Sequence, residues 1–184
     1  KDGPGAKMAP VAAPPIPVAA DKLPKLKVPA GFKVEVYQSG VLDARGLRRG
    51  DKGTIFVSSL FVTGKIYAIT EKGGKREVKT ILSDLELPSG IEFRKGALYV
   101  ATPKKIMRYD NIEDNLDKAP QPTVIYDKLP GDVPHGWKFL RFGPDDKLYV
   151  PVGAPCNICE PDLGKYAQIF RINADGSGME IVAR

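Results

Sequence analysis

The chain has one histidine, His135, and two cysteines, Cys156 and Cys159, and these side chains have the chemistry best suited to a reaction or a crosslink. An imidazole titrates near neutrality, so His135 can take up or release a proton under working conditions. Its position alone reads more readily as a histidine simply hydrogen-bonded at a strand end. The cysteines are spaced C-x-x-C. Covalent haem would require a histidine next, and Glu160 follows instead. Tetrahedral zinc would need further cysteine or histidine ligands nearby, which the sequence lacks, so no metal site is expected. A thioredoxin-type pair needs a helix start after a strand in an α/β fold, and the surrounding pattern does not provide one. What remains is a short disulfide stapling its own loop. Such a bond suits an oxidising compartment, the periplasm or the cell exterior. Its short closure stiffens the loop more than it stabilises the whole chain.

The other candidates are weaker. Arg45, Arg48, Arg49, Lys104 and Lys105 fall at strand ends or turns. There they are expected to be solvated or to meet an acidic partner, with one or two able to reach a ligand carboxylate if they face a channel. Asp145–Asp146 and Glu113–Asp114 read as turn and capping pairs. Trp137 and Phe139 alternate and are expected to share one strand face as core residues, a stacking surface for a flat cofactor being the rarer option. No paired catalytic carboxylates and no phosphate-cradling glycine loop stand out.

The elements that position these residues are strands. In 184 residues, 42% are hydrophobic and 27% charged, which excludes wholesale disorder. The 19 glycines and 17 prolines disfavour a helical bundle and suit many short strands joined by turns. A net charge of +6 without a basic stripe interleaved with aromatics argues against nucleic acid. No run approaches the ~18 apolar residues of a membrane-spanning helix. The start lacks a signal-peptide core, so an exported protein is expected here in its processed form.

Residues 1–30 form a Pro/Ala-rich segment without aromatics. It reads as an extended tether or, if held in place, as an arm on a partner surface. Residues 31–184 repeat. Units at about 44–82, 88–127 and 134–184 each open with a glycine and a large apolar residue: Gly46-Leu47, Gly90-Ile91 and Gly136-Trp137. The glycines lie 44 and 46 residues apart. In every unit a first strand and a turn lead to TIFVSS, ALYVAT or KLYVPV. Then come KIYAIT, KIMRYD or QIFRIN, and finally REVKTIL, PTVIYD or MEIVAR. Four strands recurring over 40–50 residues are the signature of a β-propeller blade. Arg45, Ser89 and His135 each directly precede the opening glycine, at the mouth of the innermost strand. Closed propellers have typically about 4–8 blades, so three make an all-β half-propeller whose flanks require company.

The run HGWKFLRFGPDDKLYVPVGAPCNICEPDLGKYAQIFRINADGSGMEIVAR, with GFKVEVYQSGVLDARGLRRGDKGTIFVSS and LPSGIEFRKGALYVAT before it, resembles the sorbosone dehydrogenase-like family of soluble quinoprotein sugar dehydrogenases. The resemblance covers roughly Leu26 to Arg184. It implies a six-bladed propeller that binds pyrroloquinoline quinone (PQQ) and calcium. It also implies that His135 acts as the general base on a sugar hydroxyl while hydride passes to the quinone. The family's Arg-Asn motif and further cofactor-binding loops would follow Arg184, so this chain alone is expected to bind neither PQQ nor calcium. Two functions are therefore expected. In the first, which we favour narrowly from sequence, the chain is a non-catalytic stabilising subunit of a periplasmic quinoprotein alcohol or sugar dehydrogenase. It would contact a larger PQQ-bearing subunit, and possibly a cytochrome c subunit, through its arm and open faces. In the second, it is the N-terminal half of a catalytic PQQ- and calcium-dependent aldose or sorbosone dehydrogenase. Two copies closing one ring is a further arrangement.

Overall fold

The structure is a computed structural model, and it describes residues 26–132 and 135–184. The expectation of an arm over residues 1–30 lies outside the described residues, apart from Leu26–Ala30, which are exposed. Twelve strands form three four-stranded antiparallel sheets, each a meander in chain order. The first contains β1 (Ala44–Arg49), β2 (Ile55–Ser59), β3 (Ile66–Lys72) and β4 (Lys75–Leu82). The second contains β5 (Gly90–Arg94), β6 (Ala97–Ala101), β7 (Ile106–Tyr109) and β8 (Thr123–Tyr126), with a 3-10 turn at Ile112–Asp114. The third contains β9 (Arg141–Phe142), β10 (Leu148–Val152), β11 (Gln168–Ile172) and β12 (Glu180–Ala183).

The all-β architecture of three four-stranded sheets is as expected, and the repeat extends to irregularities. In each sheet the pairing of the third and fourth strands slips after the same isoleucine: Ile66, Ile106 and Ile169. First strands of neighbouring sheets lie side by side, β1 against β5 and β5 against β9, so the sheets radiate from a common inner edge as blades.

Alternation along the strands divides the core into two layers. Phe56, Ile66 and Ile81 on the forward face of the first sheet pack against Ile91, Leu98, Val100, Met107 and Tyr109 on the backward face of the second. Tyr99, Ala101, Ile106 and Ile125 on the forward face of the second pack against Leu140, Leu148, Val150, Phe170 and Ile172 of the third. Every residue of β6 is consequently buried, its odd positions facing one neighbour and its even positions the other.

Two expectations need correction. The third unit's first strand is only Arg141–Phe142, so Trp137 and Phe139 lie outside any strand and do not form a shared core face. Phe139 is 57% exposed, with the Arg48 guanidinium 5.2 Å from its ring centre. The acidic pairs do more than cap their own turns. The Glu113 carboxylate accepts backbone N–H groups of Lys52 and Thr54 in the β1–β2 turn of the neighbouring sheet. Asp146 pairs with Arg94 and Lys95 of the second sheet. Both act as clamps between blades.

Candidate functional site

A meander brings the start of each first strand, the loop between second and third strands, and the end of the fourth strand to one end of the molecule. Arg45, Ser89, His135, Lys104, Lys105 and the Cys156–Cys159 loop all belong to that end. Arg45 sits at a bulge between Ala44 and Gly46, a local device that turns a side chain out of the ladder. Ser89 directly precedes β5. His135 is half-buried on a turn, and the chain continues through Gly136–Leu140 before pairing begins at β9. The three equivalent positions thus share one end, but only Arg45 is within a strand.

Polar contacts bind this mouth across all three sheets. The Gly46 N–H donates to the Ser58 hydroxyl, which donates to the Ser89 carbonyl at 3.0 Å. The Ser89 hydroxyl accepts the Lys138 N–H and donates to the Lys138 carbonyl. Lys138 is itself only 4% exposed. Its ammonium donates to the Gly136 carbonyl at 2.5 Å, with a longer contact of 3.4 Å to the Pro130 carbonyl. Burial pushes the Lys138 amine down to about 8, and the Asp132 carboxylate opposes that shift. Asp132 in turn accepts the Tyr166 hydroxyl from the β10–β11 loop, a bond that holds the Tyr166 phenol above its usual range.

An aromatic corner completes the mouth. Asp43, with a φ of 60°, accepts the N–H groups of Leu60 and Val62 at 2.8 Å each and so shapes the β2–β3 loop. That loop presents Phe61 edge-on to Trp137, with ring centres 4.9 Å apart and planes at 86°. The disulfide joins Cys156 to Cys159 with Cα atoms 6.0 Å apart, as expected, and leaves Ile158 at the loop tip 97% exposed.

Of the basic residues, Arg45, Arg49, Lys104 and Lys105 are exposed. Arg48 is not a solvated edge. Its Nε donates to Glu92 at 3.0 Å and its guanidinium also reaches the Leu140 carbonyl, tying the three inner edges together. Glu92 is 5% exposed and also faces Arg141 at 3.5 Å. The sequence reading missed Glu92 and Lys138, although the repeat offered a signal. Arg48, Glu92 and Lys138 each stand two residues after an opening glycine, an ionisable side chain where a buried strand would ordinarily carry none.

No family model matches the chain. An uncharacterized protein of Borreliella burgdorferi is 29% identical over 182 residues, covering 91% of this chain and 46% of the relative. The chain thus spans about half the length of that relative. Among solved structures, the PQQ domain of pyranose dehydrogenase from Coprinopsis cinerea superimposes with a TM-score of 0.67 at 16% identity, over 81% of this chain and 38% of that one. The PQQ-bound aldose sugar dehydrogenase of Streptomyces coelicolor gives 0.53 at 20% identity, over 74% and 46%. Virginiamycin B lyase of Staphylococcus aureus also gives 0.53, at 16% identity, over 83% and 45%. The fold is therefore that of the PQQ-domain β-propellers. A lyase among its neighbours shows that this fold does not by itself set the reaction.

The residues present do not assemble a complete site for the cofactors of those neighbours. Among the described residues no three His, Cys, Asp or Glu side chains converge to hold a metal ion. A quinone bearing several carboxylates would find exposed Arg45, Lys104 and Lys105 near the mouth, while Arg48 is engaged by Glu92. Among the described residues the quinone would find at most one side of a cradle.

Proposed function

We propose that this chain is half of an exported β-propeller dehydrogenase that oxidises sugars or related aldehydes with PQQ, and that His135 is its proton acceptor. The observation carrying the reading is the placement of His135. It is half-buried on a turn at the end that carries the starts of the first strands, two residues before Trp137 of the Phe61–Trp137 corner. The likeness to PQQ-domain propellers and the disulfide suited to an oxidising compartment support it. A neutral imidazole there would take the hydroxyl proton of a bound sugar as the adjacent carbon is oxidised. PQQ, when bound, supplies a two-electron acceptor. The residues that hold it and calcium would come largely from sheets beyond these three.

The exposed face of the third sheet supports a further sheet beside it. Its forward face presents Tyr149, Pro151, Ile169, Arg171 and Val182, the repeat equivalents of Tyr99, Ala101, Ile106, Arg108 and Ile125. In the second sheet Ile106 and Ile125 are 0% and 8% exposed beneath the third. Their counterparts Ile169 and Val182 are each 39% exposed.

The test is dye-linked oxidation of aldoses by the full-length protein supplied with PQQ and calcium. His135→Gln should lower kcat by roughly 10²–10⁴-fold while quinone absorbance on the protein is retained. Absence of sugar turnover with wild type would overturn the reading. If, in addition, deleting the chain lowered the yield of a larger quinoprotein dehydrogenase, the stabilising-subunit role would stand instead.

A further inference from the structure

The turn that carries His135 has no strand to hold it, since β9 begins only at Arg141. Something else must fix the imidazole. Lys138 is placed to do so. Its backbone is clamped on both sides by the Ser89 hydroxyl of the second sheet, and its side chain folds back beneath the turn. We infer that Lys138 is the positioning residue of His135: its ammonium bridges the carbonyls of Gly136 and Pro130, one on each side of the histidine, and so holds the turn that presents the imidazole at the mouth.

The alternative is a lysine that merely fills space, and the chemistry argues against it. A buried ammonium is costly unless its donors are satisfied, so an apolar side chain would be the cheaper filler. At the same repeat position, Arg48 and Glu92 neutralise each other. Lys138 instead directs its charge at backbone carbonyls. Charge-assisted bonds of this kind are about twice as strong as neutral ones. They restrain those carbonyls, and that of Gly136 belongs to the residue directly after His135. The charged and titratable groups around it are few. Asp132 faces it from the same loop, held by Tyr166 of the β10–β11 loop. The Lys104 stem lies against Gly131, and His135 itself is on the turn. The second sheet adds the uncharged Ser89 to Lys104.

The meaning of this inference for catalysis rests on His135 being the proton acceptor, but its test does not. His135 is the only histidine, so its imidazole C–H resonances can be followed in the isotope-labelled chain without ambiguity. In wild type we expect one sharp set whose shift shows a step near pH 8, where the Lys138 amine loses its proton. Lys138→Met should abolish that step and broaden or split the set. Lys138→Arg, which keeps the charge and does not titrate, should restore the sharp set without the step. Identical sharpness and titration in wild type and Lys138→Met would overturn the inference. If Lys138→Met does not fold, Lys138→Gln takes its place, and a His135 set as sharp as wild type in that variant overturns the inference. A restrained His135 in a protein that oxidises no sugar would sink the dehydrogenase reading and leave this one standing.

Discussion

Glu92 is the carboxylate on which the inner edges depend. It accepts Arg48 at 3.0 Å and Arg141 at 3.5 Å, and its Oε1 also takes the Phe93 N–H. With both side chains of the Arg48–Glu92 pair largely out of water, removing one partner strands the other, a loss of about 3–5 kcal/mol in comparable buried pairs. Arg48→Met should therefore destabilise the fold by about 3 kcal/mol in denaturant melts. Arg48→Met with Glu92→Met should recover much of that loss, because the orphaned charge is gone. A single Arg48→Met variant within about 0.5 kcal/mol of wild type would remove the pair from the account. Sequence alone left Arg48 solvated or facing an acidic partner subunit because its partner in this chain is 44 residues away, on another sheet. Periodicity reports which face a residue occupies, not which charge from a distant unit will meet it.

At the level of elements the opening glycines show what was legible and what was not. Their recurrence marked the three units, and the strand order within each unit followed from short runs of apolar β-formers between turns. Their physical reason is visible only in the packed structure. None of Gly46, Gly90 and Gly136 has a positive φ, so backbone freedom does not explain them. Close approach does. A Cβ on Gly90 would lie 2.4 Å from the Lys138 carbonyl oxygen, where the chain entering the third sheet crosses the start of β5. On Gly46 the nearest atoms would be the Ser58 hydroxyl at 3.0 Å and the Ser89 carbonyl at 3.1 Å. Gly90→Ala should thus cost about 1–3 kcal/mol and disturb the Lys138 clamp, and Gly46→Ala should cost less. Thermal melts of the two variants check the order, and equal costs would contradict this account of the glycines. The third unit departed from expectation for a related reason. Gly136–Leu140 crosses the second sheet instead of pairing in its own, so its alternating Trp137 and Phe139 do not form a strand face.

For the whole molecule, the decisive asymmetry is between its two flanks. On the first sheet Val57, Tyr67 and Ile69 are at most 5% exposed, with Val41 packed among them. The forward face of the third sheet has no such cover among the described residues. Its Tyr149–Arg171 end is satisfied internally by Asp145 and Glu180, whereas its Pro151, Ile169 and Val182 end is apolar. An apolar sheet face of this kind drives association until a neighbour covers it. The chain by itself should accordingly sediment as a concentration-dependent mixture. Ile169→Lys combined with Val182→Lys should shift it to monomer without loss of melting temperature. The matching change in the second sheet, Ile106→Lys, falls on a fully buried position and should unfold the protein. The contrast between these two variants separates a docking face from a core face, although both have the same residue pattern. A monomer at all concentrations, unaltered by the paired lysines, would mean that the third sheet needs no neighbour and that three blades are sufficient.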